Sequence, residues 1–282
     1  MKAFLLLIGV LIVSFSGILV KLSTTAPQIT AFYRVFFAFV TYIVVLKGRI
    51  QRFDRKKELL LLLAGFCLAM HFYFWISAFK HTTVAGAVIP LMIQPLVASV
   101  LGALLYREKV GKKETLGVVI VIVGVMLMTI LDSRVSLSIS KGDLLSVIGV
   151  IFVSVYLVIG RYLVPKTSAL VFNMRSYLIA SVILFFVTPT KIFQTFPLSQ
   201  WLVFLGLGIG CSFFGYTLIN NSLRYFKTGI VAMALVGEPV LSIVWSWIIF
   251  FETPTLSQYI GLVISVSGLV IFFSKIARSP SN

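Results

Sequence analysis

The chain alternates between long apolar runs and short polar connections. Ten runs are long enough to cross about 30 Å of hydrocarbon as helices. They lie at residues 3–21, 29–46, 59–79, 83–105, 115–131, 143–161, 168–187, 200–222, 228–250 and 256–274. The longest connections, Lys47 to Glu58 and Asp132 to Gly142, leave no room for a soluble domain. A helix satisfies its backbone internally and so tolerates lipid. The pattern therefore predicts an all-α polytopic membrane protein with ten transmembrane helices. Met1-Lys2 followed by apolar residues to Val13 imitates a secretory signal. It has no small-x-small cleavage site and many spans follow it, so an uncleaved first helix is expected.

The second half of the pattern repeats the first. Adding 144 to the numbers between Lys80 and Gly124 carries Lys80 to Arg224, Gln94 to Glu238, Pro95 to Pro239, Glu108 to Glu252, Gly117 to Gly261 and Gly124 to Gly268. Cys67 meets Cys211 at the same offset. Earlier in each half the offset is 140 or 141: Gly9, Ser14 and Lys21 meet Gly149, Ser154 and Arg161, and Arg34 meets Arg175. Two five-helix repeats follow, 1–138 and 139–282. An odd number of crossings turns the second copy upside down, and inverted repeats in a membrane are the architecture of alternating-access transporters.

Composition agrees with the pattern. Hydrophobic residues make up 60% and charged residues 11%, and mean hydropathy is +1.09, whereas an average soluble domain is about 25% charged. Lipid is the main solvent. The net charge of +16 does not point to nucleic acid, because the basic residues sit in short loops and form no groove or stripe. They set orientation instead. Seventeen of the 24 Lys and Arg fall on one side, among them Lys47, Arg49, Arg52, Lys109, Lys112, Arg161, Lys275 and Arg278. Five (Lys21, Lys80, Arg134, Lys141, Lys191) fall on the other. The richer side is expected to be cytoplasmic. Both termini are then inside, and a probe at Ser136 is expected to be reached from outside.

The repeat endings carry a resemblance. Pro95-Leu-Val-Ala-Ser-Val-Leu-Gly-Ala-Leu-Leu-Tyr-Arg-Glu108 leads into Gly117 and Gly124, and Glu238-Pro239-Val-Leu-Ser-Ile-Val leads to Glu252, Gly261 and Gly268. Both resemble the repeat signature of the EamA-type branch of the drug/metabolite transporter superfamily, over almost the whole chain. That resemblance implies an inner-membrane carrier, often an exporter, for amino acids and other small metabolites. It also implies a central cavity walled by helices 1, 3, 4, 6, 8 and 9, with helices 5 and 10 bracing each half.

Glu238 is the strongest single candidate for chemistry. It sits mid-way along the ninth run, where a carboxylate costs about 2.5–3.5 kcal/mol on insertion scales. Such an acid either carries a proton and contacts substrate or pins its helix by hydrogen bonds. Its repeat mate Gln94 is expected nearby. Pro90, Pro95 and Pro239 interrupt helices 4 and 9, as hinges or as static kinks; Pro95 would free the carbonyl of Leu91. His71 and Trp75 share one face of helix 3 with Ala64, Cys67 and Ala78. The opposing helix 8 face is expected to be Gly208, Cys211, Gly215, Ile219 and Ser222. His71 reads equally as a ligand contact or as a histidine bonded to a neighbouring helix. Ser14, Ser154 and Tyr156 put hydroxyls in helices 1 and 6 and are candidate lining residues. Arg34 and Arg175 lie toward helix ends and read as snorkelling or capping groups, although a buried arginine can also bind an anion. Cys67 and Cys211 lack partners at metal-ligand spacing and read as packing residues.

No nucleophile–base pair, metal cluster or phosphate loop is visible in the sequence, so no cofactor is expected. The predicted function is a secondary carrier, not an enzyme, with a small-molecule substrate, the lipid bilayer as surroundings and a proton as the candidate coupling ion. The alternatives are an intramembrane enzyme on a lipid-like substrate, which would want paired acids or a metal, and a channel, which would want a ring of like groups. Oligomeric state is not legible.

Overall fold

A computed structural model describes residues 2–48, 51, 53–108, 111–130, 140–188 and 193–273. Within them the chain is all helical. The order is α1 (Lys2–Leu22), α2 (Pro27–Val45), α3 (Arg55–Ala78), α4 (Val84–Tyr106), α5 (Lys112–Ile130), α6 (Lys141–Lys166), α7 (Ala169–Val187), α8 (Leu198–Ser222), α9 (Thr228–Phe250) and α10 (Leu256–Phe273). Eight are long and apolar enough to span a membrane, and α5 and α10 have shorter apolar cores. Every expected segment is present, with ends shifted by a few residues. The start of α3 moves from 59 to Arg55, because Asp54 caps it and accepts from the Lys57 amide at 2.9 Å. Arg49, Arg52, Lys109, Arg134, Ser136, Lys191, Lys275 and Arg278 lie outside the described residues.

Equivalent helices pack in equivalent ways. α3 packs on α6 as α8 packs on α1, and the late half of α4 packs on the early half of α9, and conversely. The seam between α5 and α10 shows the relation most directly. A methyl group at Gly117 would come within 2.8 Å of the Gly268 carbonyl, and one at Gly268 within 2.8 Å of the Gly117 carbonyl. Gly124 and Gly261 stand in the same reciprocal relation. The equivalent helices therefore run antiparallel, backbone against backbone, as small residues allow in lipid. The two halves are inverted.

Four helices depart from a regular α course. α4 passes through a 3₁₀ stretch, Ile89–Ile93, between Pro90 and Pro95. α9 is interrupted at Val236, three residues before Pro239. α1 breaks at Ser14–Phe15, and α8 widens into a π-helix at Gly206–Gly215. The α1 and α8 departures were not foreseen, and neither has a counterpart in its mate: α6 is continuous through Ser154, and α3 is regular. The π stretch has four glycines, which hold a helix weakly. It offers the Ser212 and Phe213 carbonyls to the Tyr42 hydroxyl at 3.1 and 3.3 Å. π segments of this kind collect at functional sites.

Candidate functional site

Where the departures meet, the helices enclose a small cavity. It is lined by Arg34, His71, Trp75, Leu91, Gln94, Val153, Tyr216 and Glu238. Its volume is about 10 Å³, room for about one water molecule. Of the expected site residues, His71, Trp75, Gln94 and Glu238 come together here. Ser14, Ser154 and Tyr156 do not line it.

Glu238 and Gln94 begin the second halves of α9 and α4, beside Pro239 and Pro95. Pro95 sits at the second position of its segment and Pro239 at the third, within the first turn, where a missing N–H is not needed. Glu238 is 7% exposed and makes no hydrogen bond or ion pair among the described residues. It therefore does not pin α9. Its charged and titratable neighbours around the cavity are Arg34 from α2, His71 from α3 and Tyr216 from α8. The Gln94 side-chain amide nitrogen is buried and unpartnered. The repeat mates thus bring two uncommitted polar groups to one space, which is costly unless something fills their hydrogen-bonding capacity.

His71 and Trp75 are more committed. His71 donates from Nδ1 to the Gly149 carbonyl at 2.9 Å and stacks on Trp75 with ring centroids 6.0 Å apart. Trp75 Nε1 donates to the Ala87 carbonyl at 3.2 Å, which also accepts from Ser146 Oγ at 2.7 Å. In the 3₁₀ register that carbonyl would look to residue 90, and Pro90 has no N–H to give. Side chains satisfy it instead. The Leu91 carbonyl, expected to be free, accepts from the Gln94 amide; the 3₁₀ turn closes what Pro95 opens. Trp75 therefore joins α3, α4 and α6 while one part of its ring faces the cavity.

Sequence reading missed Arg34 as a cavity residue. It does not snorkel outward: it is 1% exposed. Its Nε donates to Ser212 Oγ at 3.0 Å and Nη1 to Ser16 Oγ at 2.6 Å. Its guanidinium lies over Phe72 at 4.1 Å and Trp75 at 5.7 Å. Its mate Arg175 does what was expected of both, pairing with Glu58 and donating to the Gln51 carbonyl near the end of α3. The signal that could have separated them was Glu58, which precedes the third run and reaches only Arg175. The α8 face was also misassigned. Gly208 packs on Phe37 and the Arg34 carbonyl, Cys211 Sγ meets the Ile12 carbonyl at 3.5 Å, and Gly215 packs on Val13 and Gly9. The α8 side chain that reaches the cavity is Tyr216, because the π stretch shifts the phase of the helix.

Polar closures stand on both sides of the cavity. One turn along α6 and α8 lies a buried network. Asn173 Nδ2 donates to Tyr42 at 2.7 Å, and Asn220 Nδ2 donates to Tyr156 and to Asn173 Oδ1, each at 2.7 Å. Beyond it Arg161 pairs with Glu108 at 3.3 Å, and Glu108 accepts from the Thr228 amide at 3.3 Å. Toward the opposite face, Ser23, Thr25 and Thr30 form a hydroxyl cluster with Gln200, and Lys21 pairs with Glu252. Lys21 is the repeat mate of Arg161, and Glu252 of Glu108. Each ion pair thus joins one half to the other, once on each face. Ser14 serves a similar joint: its hydroxyl accepts from Trp245 Nε1 at 2.9 Å and its carbonyl from Ser242 at 2.7 Å. Ser154 bonds the Val150 carbonyl within its own helix.

The sequence model of the EamA-like transporter family matches residues 1–130 and 140–274. Curated relatives include the uncharacterized transporter YdfC of Bacillus subtilis (strain 168), 24% identical over 97% of this chain and 90% of its own length. YxxF of the same organism is 22% identical over 78% of this chain and 71% of its own length. An uncharacterized transporter of Archaeoglobus fulgidus is 25% identical over 83% of each. A solved crystal structure superposes with a TM-score of 0.76 over 98% of both chains at 17% identity, which establishes likeness of fold.

Proposed function

The chain belongs to the EamA-like transporter family, and we propose that it is a secondary carrier, not an enzyme, exporting small metabolites such as amino acids across the cytoplasmic membrane by alternating access. In this reading it is a multi-pass protein with both termini in the cytoplasm, and residues 1–138 and 139–282 are its two moving repeats. His71, Trp75, Gln94 and Glu238 contact the substrate, and Pro90, Pro95 and Pro239 are hinges.

The observation that carries the reading is the pairing of Gln94 with Glu238 between inverted halves, with one inter-repeat ion pair beyond them on each face. A carrier needs one site and two closures that open in turn. Both closures are shut in this conformation, and the cavity between them is too small for a metabolite. In this reading the conformation is closed on both faces and must widen to load. Glu238 is the one carboxylate among the residues lining the cavity, and a proton on it is the simplest coupling ion.

Counterflow in proteoliposomes tests the reading. Saturable exchange of an amino acid or related metabolite, accelerated by unlabelled substrate on the far side, is the expected result. Chemical conversion of the solute would mean an enzyme, and conductance that does not saturate would mean a channel; either overturns the proposal.

A further inference from the structure

We propose that Arg34, Ser16 and Ser212 form an anion-binding subsite at the cavity, and that the transported solute presents a carboxylate to it. This inference rests on the carrier reading. A guanidinium has five donors and no acceptor. Such a group is normally found deep in a protein only when paired with an acid. Arg34 is fully buried inside the helix bundle, and none of the ion pairs among the described residues includes it. Its hydrogen bonds among the described residues go to two neutral hydroxyls, and the face of Phe72 lies against it. Ser16 comes from the short second segment of α1, beyond the break, and Ser212 from the π stretch of α8. The two irregular segments that repeat symmetry does not predict are the two that hold this guanidinium.

The rest of the cavity constrains what joins it. Glu238 lines the same space from α9 without forming a salt bridge to Arg34. A carboxylate docking on Arg34 meets that acid across a small volume. Neutrality then requires either a proton on Glu238 or a positive group on the solute itself, next to Gln94 and Glu238. Trp75 and Leu91 supply an apolar wall for the body of the solute. The second repeat offers no equivalent subsite, since Arg175 is taken by Glu58. The solute is therefore held by its anionic end in the first half, and by its other end in the second.

The test is ligand-dependent thermal stability of the purified protein at fixed ionic strength, followed by flux. The probes are phenylalanine, 3-phenylpropionate, phenylethylamine and inorganic phosphate. Stabilisation by either carboxylate, with none from phenylethylamine or phosphate, is expected. Arg34→Lys keeps the buried charge but loses the planar fork, and should weaken the apparent affinity by about tenfold or more. Ser212→Ala, which keeps Arg34 itself, should weaken it by a smaller factor. Equal stabilisation by the amine, stabilisation by phosphate alone, no response to either carboxylate, or unchanged affinity in both variants would overturn the subsite. Arg34-dependent binding with no saturable flux in proteoliposomes would instead sink the carrier reading and leave the subsite standing.

Discussion

On the proposed carrier reading, Glu238 is the residue on which coupling turns. Its carboxyl group is buried, unpartnered and next to a helix interruption. Glu238→Gln keeps its shape and fixes the neutral form. The variant should retain substrate exchange at equilibrium and lose the response to an imposed pH gradient. Wild-type behaviour in both assays would make Glu238 a structural group and place coupling elsewhere. Trp75 has two roles that a graded substitution separates. Trp75→Phe removes the indole N–H from the Ala87 carbonyl but keeps an aromatic wall. Ser146 still serves that carbonyl, so binding should fall about threefold or less, whereas Trp75→Ala should cost about three- to tenfold. Equal binding by both variants and wild type would remove α3 from the substrate site. At this scale the sequence was legible where a residue broke a rule unaided: an acid mid-membrane, a proline mid-helix. It was not legible for Arg34. Depth within a helix is read from the nearest run boundary, and Arg34 lies only a few residues inside α2. What buries it is the packing of α1 and α8 around it, which no local pattern encodes.

At the scale of elements, the proposed alternating access puts the barrier to motion in the connections between halves. The pairs Lys21–Glu252 and Arg161–Glu108 are both about one-third exposed or less, so each contributes only modestly to stability. Their influence is on the balance between conformations. Neutralising Glu252 should favour the state open on the Lys21 face, and neutralising Glu108 the state open on the Arg161 face. Accessibility of a cysteine introduced at Tyr216 to a small thiol reagent, added from one side and then the other, would show shifts of opposite sign. Shifts of the same sign would mean that the pairs only staple the fold. The α5–α10 seam behaves differently, because the atoms facing each glycine include a backbone carbonyl that cannot swing aside. Gly124→Ala or Gly261→Ala forces a methyl group against a facing carbonyl and should cost about 1–3 kcal/mol, read as a fall in melting temperature. The helices themselves were plain from their apolar runs, and the two proline interruptions were plain from composition. The break in α1 and the π stretch in α8 were hidden, since neither contains a proline and both answer to partners on other helices, Trp245 and Tyr42.

For the whole molecule, orientation is the property that local chemistry leaves open and charge decides. The positive excess predicts that a cysteine at Thr195, exposed between α7 and α8, is labelled by an impermeant reagent from outside, while one at Lys112 is not; the opposite pattern would exchange the inner and outer closures. The inverted relation of the halves was readable from the repeat matches and the odd number of crossings in each copy, and the glycines that signalled it meet crosswise in the seam, Gly117 with Gly268 and Gly124 with Gly261. That meeting has a consequence for how the protein is assembled. Neither half can finish its own surface, because the groove left by the glycines of α5 is filled only by α10, and the groove of α10 only by α5. A polypeptide ending after α5 and a second one beginning before α6, produced from separate messages in one cell, should each be unstable alone and accumulate together. Co-purification of the two pieces would then measure the adhesion of the seam without any covalent link across it.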